Sequence, residues 1–351
     1  MEPLTAEAER AWVAATLPKV SRTFALCIRL LPEALEHPVA VAYLLCRIAD
    51  TVEDSALLSA SEKSTLLAEF RDAVGAPRPG GPSSPGPSDD APCVRATFTG
   101  ATTADGVLAH SAHTALRAFR RLPTEMQERI RPYVQEMCDG MAEFARAREA
   151  AGELYALPDL AALDRYCYFV AGTVGHLLTG LFTLHSATID AQRRRRLDAL
   201  ATSFGLGLQL TNIVKDVTVD RERGWSFVPE ALCREHGITP EELSRPERRT
   251  EAMQVMRVLS AKARAHLDDA LTYCTSLPRR EHGIRMFCLI AVYLAIRTLR
   301  LAERDPRLLD RDHKLKITRG DVRRTLFTTA LVAPSNGLVR AYYGVLARTG
   351  T

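Results

Sequence analysis

AVAYLLCRIADTVED, residues 40–54, decides how the chain is read. Within it Tyr43, Arg47, Asp50 and Asp54 follow one another at separations of four, three and four residues, the spacing that lines side chains along one face of an α-helix. Most other positions are apolar, so this helix, running from about Pro38 to Asp54 after a turn at Leu31-Pro32, is expected to be central and buried up to its charged end. An arginine and three carboxylates, counting Glu53 beside the stripe, are costly there unless they are paired or bind ions. A helix that emerges into solvent with an internal Arg47–Asp50 pair stays open as the plainer reading.

GLGLQLTNIVKDVTVDRERG, residues 205–224, repeats the pattern with Gln209, Asn212, Asp216 and Asp220 at separations of three, four and four. Gln209 and Asn212 stand among Leu206, Leu208, Leu210 and Ile213, so the polar stripe is expected to run into apolar surroundings. A solvated amphipathic face is the alternative. Two such helices together suit a hard divalent cation: magnesium takes one or two carboxylates with waters and substrate phosphate oxygens. Ions held this way offset the charge that develops on a departing diphosphate. There is no GxxxxGK[ST] loop and no glycine-rich dinucleotide turn after a strand, which removes the ordinary nucleotide cradles.

YCYFVAGTVG, residues 166–175, sets Tyr166, Val170 and Val174 one turn apart on a helix face. Gly172 and Gly175 each lower helix propensity by up to about 1 kcal/mol relative to alanine, so another helix or a ligand approaches closely there. For Tyr166 a core ring with a satisfied hydroxyl is the plain alternative. Ser21-Arg22-Thr23-Phe24 places a cation and hydroxyls just before an apolar run, a candidate phosphate clamp.

Around these motifs the chain reads as all-α. Helical patterns resume near Asp105 and continue past Met141, then run from about Leu160 to Leu184, Ala191 to Arg221, Glu251 to Ser276 and His282 to Ala302. From Asp312 to Thr351 a short connection, one more helix and a loose tail are expected. The segment 75–92, rich in Pro, Gly and Ser, is expected to be a flexible surface loop inside a single domain covering residues 1–351. The 351 residues are 46% hydrophobic, and 46 basic against 42 acidic residues leave a balance that argues against nucleic acid as a partner. Eight cysteines without a CxxC pair read as reduced thiols filling core space in a cytoplasmic protein. No signal peptide opens the sequence, and no apolar run of the roughly 18–20 residues needed to cross a membrane is evident. The basic run Arg193 to Arg196 is most simply a solvated helix start, with contact to anionic lipid during product release as the alternative.

Taken together, SRTF (21–24), YLLCRIADTVED (43–54), YCYFVAGTVG (166–175) and LQLTNIVKDVTVD (208–220) resemble the squalene and phytoene synthase family, in order and separation, from Leu17 to about Arg324. The resemblance implies a class I isoprenoid synthase fold, helical around a central cavity, and head-to-head condensation of two prenyl diphosphates. It implies Asp50, Glu53 and Asp54 as the first magnesium-binding set and Asp216 and Asp220, with Asn212, as the second. By the same resemblance, Ser21, Arg22, Tyr43, Arg47, Gln209 and Asn212 match positions around diphosphate or metal. Tyr166 matches the catalytic tyrosine, and Phe24, Val170, Val174 and Phe287 match the cavity wall.

HGIRMFCLIAVYLAIRTL (282–299) and KLKITRGDV (314–322) resemble the squalene synthases within that family, where a basic segment after a Phe-Cys helix contributes to NADPH binding. This implies farnesyl diphosphate as substrate, squalene as product, and Arg22, Lys316 and Arg319 as NADPH contacts. A solvated basic loop is the alternative for Lys316 and Arg319. Four features depart from the pattern, one being that the Pro/Gly/Ser-rich segment 75–92 occupies a region that in the reductive enzymes helps cover the cofactor. Trp225 stands where many relatives carry a diphosphate-holding arginine, with Arg221 and Arg223 nearby as replacements; Ala291 stands where squalene synthases commonly show proline; and no C-terminal membrane anchor is expected. The resemblance leaves open phytoene, dehydrosqualene or presqualene diphosphate as product, a cyclase acting on one prenyl diphosphate, and a non-catalytic binding protein on the same fold.

Overall fold

Caps written into the sequence set where many of the helices begin. Thr5, Ser59, Thr103, Asp159, Asp190 and Thr318 each accept a hydrogen bond from the backbone N–H three residues on, satisfying a donor that the first helical turn leaves without a partner. The computed structural model describes residues 5–75, 90–149 and 154–348, the side chain of Arg22 excepted. Most of the Pro/Gly/Ser-rich segment, residues 76–89, lies outside the described residues.

In chain order the helices are α1 (Ala6–Val20), α2 (Arg22–Ile28), α3 (Glu33–Asp54), α4 (Ala60–Val74), α5 (Pro92–Thr97), α6 (Ala104–His110), α7 (Ala112–Arg120) and α8 (Thr124–Glu149). Then come β1 (Tyr155–Ala156), α9 (Leu160–Cys167), a π-helical turn (Tyr168–Gly172), α10 (Thr173–His185), α11 (Ala191–Glu222) and β2 (Trp225–Ser226). The chain continues with α12 (Glu230–Glu235), α13 (Arg249–Ser276), α14 (His282–Arg304), α15 (Arg319–Val332) and α16 (Asn336–Arg348). Contacts gather these elements into two compact units, one from residues 1–150 and 176–187, the other from residues 151–175 and 188–351.

Helix α3 is the axis of the first unit and packs against α1, α4, α6, α7 and α8. Its Leu35, Val41, Leu44, Leu45, Ile48 and Val52 are fully buried, each worth about 1.5–3 kcal/mol of hydrophobic stabilisation before ordering costs. The helix starts at Glu33 rather than near Pro38. Pro32 takes the cap position, where its missing N–H costs nothing, and Pro38 is carried inside the helix.

In the second unit α11 packs against α13, α14 and the π-helical turn, and α14 also packs against α15 and α16. The expected loose tail is instead the helix α16, whose Val339, Tyr343 and Leu346 recur at helical spacing and are buried. Pro334 lies in the short break between α15 and α16. Residues 349–351 lie outside the described residues. Arg285 of α14 is fully buried and donates to the carbonyls of Cys274 (3.0 Å), Leu277 (2.8 Å) and Ala333 (2.9 Å) and to Asn336 Oδ1 (2.7 Å). One side chain thereby ties the ends of α13 and α15 to the start of α16. The only strand pairing among the described residues is the two-residue parallel bridge of β1 with β2, Tyr155 opposite Trp225.

Gly175 of the 166–175 motif answers to helix packing, as does Gly205 of α11. A Cβ at Gly175 would lie 2.1 Å from the Ala201 carbonyl oxygen, and one at Gly205 would lie 2.2 Å from that of Ala171. The two backbones approach so closely that only hydrogen fits between them. The continuous helical stretch Leu160–His185 is long and apolar enough to cross a membrane by length and composition, which the sequence reading did not identify, and half of its most apolar window is buried in the fold. All eight cysteines are free thiols; seven are buried, as expected of core fillers, and Cys93 is exposed.

Candidate functional site

Each acidic stripe is built within its own unit. On α3, Tyr43, Arg47, Asp50 and Asp54 share one face, as the spacing requires. Ser21 caps α2 by accepting the Phe24 N–H (3.3 Å), and its hydroxyl is hydrogen-bonded with the Tyr43 phenol. The Phe24 and Tyr43 rings lie 5.7 Å apart. These contacts join the SRTF segment to the stripe; the side chain of Arg22 lies outside the described residues.

Arg47 is engaged mainly by a residue that the motif does not contain. Its Nε and Nη2 donate to the two carboxylate oxygens of Asp105 at 2.9 Å each, while the nearest Asp50 oxygen stands 3.8 Å from Nη1. The pairing with Asp105 holds the guanidinium above its ordinary pKa. Burial, with Asp54 and Asp105 adding negative charge and Arg47 opposing them, pushes the Asp50 carboxyl up to about 7. Glu53 is buried to the side of the stripe. Lys63 of α4 is also buried and donates from Nζ to the Glu53 backbone carbonyl at 2.5 Å, near the Glu53 and Asp54 charges. Burial lowers its ammonium pKa first, and Arg148 adds to that effect. The sequence reading singled out neither Asp105 nor Lys63.

On α11 the stripe is less regular. Asp216 has φ −103° and ψ 15°, a break in the helix that re-aims the turn carrying Asp220, and its carboxylate pairs with Lys215 Nζ at 2.7 Å. Gln209, Asp216 and Asp220 are half-buried. Asn212 is exposed, contrary to the expectation that the stripe runs into apolar surroundings. Leu206, Leu210 and Ile213 are buried on other faces of the helix and leave Asn212 at the stripe's edge.

Tyr166 is buried in an aromatic cluster: its ring stacks on Phe227 at 4.5 Å and lies 6.1 Å from Trp225, which in turn stacks on Phe227 and meets Tyr155 edge-on. Trp225 thus forms part of the wall around the tyrosine. Arg221, one candidate to replace the family arginine, donates to the Glu241 backbone carbonyl at 3.1 Å. Val170 lies in the π-helical turn and Val174 just beyond it, both half-buried, so a shift of helical register separates them from Tyr166. Phe287 is buried on α14. Lys316 and Arg319 are exposed at the start of α15 and form no ion pair among the described residues. Two clefts of about 600 and 650 Å³, beside Arg264 and Glu9 respectively, hold none of these residues.

No group of three His, Cys, Asp or Glu side chains among the described residues is gathered tightly enough to hold a metal on protein ligands alone. That suits magnesium, which draws much of its shell from water and phosphate. The Asp50 carboxyl, raised first by burial and then by the Asp54 and Asp105 charges, is the further sign of fit: a bound divalent ion supplies the positive charge that favours its ionised form.

The helical architecture and these motifs define an isoprenoid-synthase fold. A solved structure of TcSQS in complex with the ligand BPH1237 has this fold, with TM-score 0.77 and 24% identity, covering 98% of this chain and 93% of that one. A dehydrosqualene synthase in complex with ligand gives TM-score 0.65 at 18% identity, covering 97% and 98%. The squalene/phytoene synthase family model matches residues 17–321, and the chain belongs to that family. The squalene synthase of Eremothecium gossypii is 31% identical over 302 residues, 86% of this chain; the chain spans 64% of that relative's length.

Proposed function

We propose that the protein catalyses the magnesium-dependent head-to-head condensation of two farnesyl diphosphates to presqualene diphosphate and its NADPH-dependent reduction to squalene. The observation that carries this reading is the α3 stripe, where Asp50 is raised to about 7 beside Asp54 and Asp105, with Arg47 and Tyr43 on the same face. In this reading both units serve one catalytic domain, and both acidic stripes act in the same ionisation. Asp50, Glu53 and Asp54, and Asp216, Asp220 and Asn212, would hold magnesium, which when bound neutralises charge on the departing diphosphate. Ser21, Arg22, Tyr43, Arg47 and Gln209 bind and orient the diphosphates.

Loss of diphosphate from the first substrate leaves an allylic cation, which the double bond of the second attacks; proton loss then closes the cyclopropane. Tyr166 is assigned to orient or relay that proton. Phe24, Val170, Val174 and Phe287 present apolar surface that keeps water from the cations. Arg22, Lys316 and Arg319 would hold NADPH, the hydride source for the second stage. Two exposed cations without ion-pair partners among the described residues fit its phosphates. The free cysteines fit a reducing, cytoplasmic compartment.

Purified protein with farnesyl or geranylgeranyl diphosphate, magnesium, and with or without NADPH tests the reading by product mass. Squalene is expected only with farnesyl diphosphate and NADPH. Accumulation of dehydrosqualene, phytoene, a cyclised monomer or presqualene diphosphate in its place overturns the reductive assignment. Asp50→Ala and Asp216→Ala variants that remain folded are expected to lose magnesium-dependent diphosphate release; survival of activity in both removes those residues from the mechanism.

A further inference from the structure

Helix α15 is amphipathic in the wrong sense for a helix that meets only water on its outer side. Its inward positions Thr325 and Thr329 are fully buried, and the Thr329 hydroxyl is satisfied by the Thr325 backbone carbonyl. Its outward positions include Phe327, 70% exposed, and Leu331, 61% exposed, four residues apart on one face. On α16, which packs against α15, Leu338 and Val345 are exposed seven residues apart on a single face. A chain that places threonines inside and a phenylalanine and leucines outside loses hydrophobic stabilisation that the opposite arrangement would supply, which marks this face as one with an apolar partner.

Charge identifies the partner. Between residues 313 and 348 there are seven lysines and arginines against a single carboxylate, Asp321, and that carboxylate is already paired with Arg297 of α14. Arg323 and Arg324 are exposed on the same outward face as Phe327, one turn earlier, and form no ion pair among the described residues. A symmetric contact with a second copy would bring these like charges together, a repulsive arrangement. A layer of anionic headgroups over acyl chains matches both parts of the face, the arginines at headgroup level and Phe327, Leu331 and Leu338 just below.

The geometry points to the outer face of α15 and α16 as a docking surface for an anionic lipid membrane. This goes beyond the proposed chemistry and does not depend on it, because the surface would act whatever product the protein makes. It also differs from the Arg193–Arg196 run, where Arg194 is paired with Asp198 and Arg193 donates to the Thr188 carbonyl.

Flotation of the full chain with vesicles of phosphatidylcholine, with and without phosphatidylglycerol, tests the inference by a readout separate from turnover. Binding is expected with the anionic vesicles and is expected to weaken as salt rises. Phe327→Ser/Leu331→Ser should lower partitioning about ten-fold or more. Arg323→Gln/Arg324→Gln should lower it roughly twenty-fold at low salt and flatten the salt dependence. These positions are on the surface, so unchanged melting temperatures are expected to accompany the loss. A wild-type chain that stays unbound, or variants that bind as wild type does, overturns the inference. So does concentration-dependent self-association that Phe327→Ser/Leu331→Ser abolishes while vesicles are ignored, which would make the face a contact between copies.

Discussion

Arg47 grips Asp105 with two parallel hydrogen bonds of 2.9 Å, and Asp50, three residues along the same helix, is left 3.8 Å away. Burial raises the Asp50 carboxyl to about 7, and the arginine, its charge committed mainly to Asp105, offsets only part of that rise. Asp105→Asn removes a negative neighbour and releases Arg47 toward Asp50, and both changes act in the same direction. The Asp50 carboxyl is expected to titrate well below 7 in this variant, followed by its carboxyl NMR signal. If Arg47 then loses its fixed orientation toward diphosphate, KM for the prenyl diphosphate should rise roughly ten-fold with a smaller change in kcat. An Asp50 titration identical to wild type would separate Asp105 from the site.

The raised carboxyl also sets a pH dependence of stability. The folded pKa of Asp50, about 7, lies above the value of 3.8 for an unperturbed aspartate, so between those values the folded state binds a proton that the unfolded state has lost. Stability of the magnesium-free protein should therefore fall as pH rises from about 4 to about 7, and level off above. Because the side chain is 34% exposed, solvent screening reduces the effect to about 1–2 kcal/mol. Asp50→Asn should be flatter across this window, and saturating magnesium should restore stability at pH 8, both read from thermal melts. A wild-type profile that rises through the window contradicts the assignment.

Helical periodicity made the two stripes legible because side chains three and four residues apart must share a face whatever the tertiary structure. Asp105 and Lys63 were not legible for the complementary reason. Each lies in the first turn of a different helix, where a carboxylate or lysine reads as ordinary solvated polarity, and only tertiary packing brings them to α3. The break at Asp216 and the π-helical turn before Val174 are likewise backbone adjustments that no residue pattern announces. The glycines at 172 and 175 signalled a close approach but not by what; Ala201 settles Gly175 as a helix contact.

Arg285 is a buried cation that forms no ion pair among the described residues and is compensated by three carbonyls and Asn336. The Cys274 carbonyl belongs to the last turn of α13, and those of Leu277 and Ala333 directly follow α13 and α15, where the negative ends of the helix dipoles favour a positive charge. Arg285→Met fills similar space but leaves these acceptors without donors, at about 1–3 kcal/mol for each that water cannot reach. A loss of about 3–5 kcal/mol in urea unfolding is expected. Arg285→Lys should recover only part, since one ammonium cannot span the positions that the guanidinium reaches. A change below about 1 kcal/mol for the methionine variant would show that water replaces the arginine.

Gly175 offers a test in which local propensity and tertiary packing predict opposite signs. Replacing glycine by alanine inside a helix ordinarily stabilises by about 0.5–1 kcal/mol, because the unfolded chain loses freedom and the helix gains a good former. At Gly344 of α16 a new Cβ meets nothing within 4 Å, so Gly344→Ala should show that ordinary gain. At Gly175 the same methyl would sit 2.1 Å from the Ala201 carbonyl oxygen, a backbone atom that moves only if α11 moves. The helices must separate, and the lost contacts should cost about 1–3 kcal/mol, so Gly175→Ala is expected to be destabilising. Kinetics then distinguish packing from ligand contact. If the glycine serves the helix pair, the folded fraction falls while KM of the remaining enzyme stays near wild type. If it makes room for substrate, KM rises with little change in the melting temperature, and the packing explanation fails.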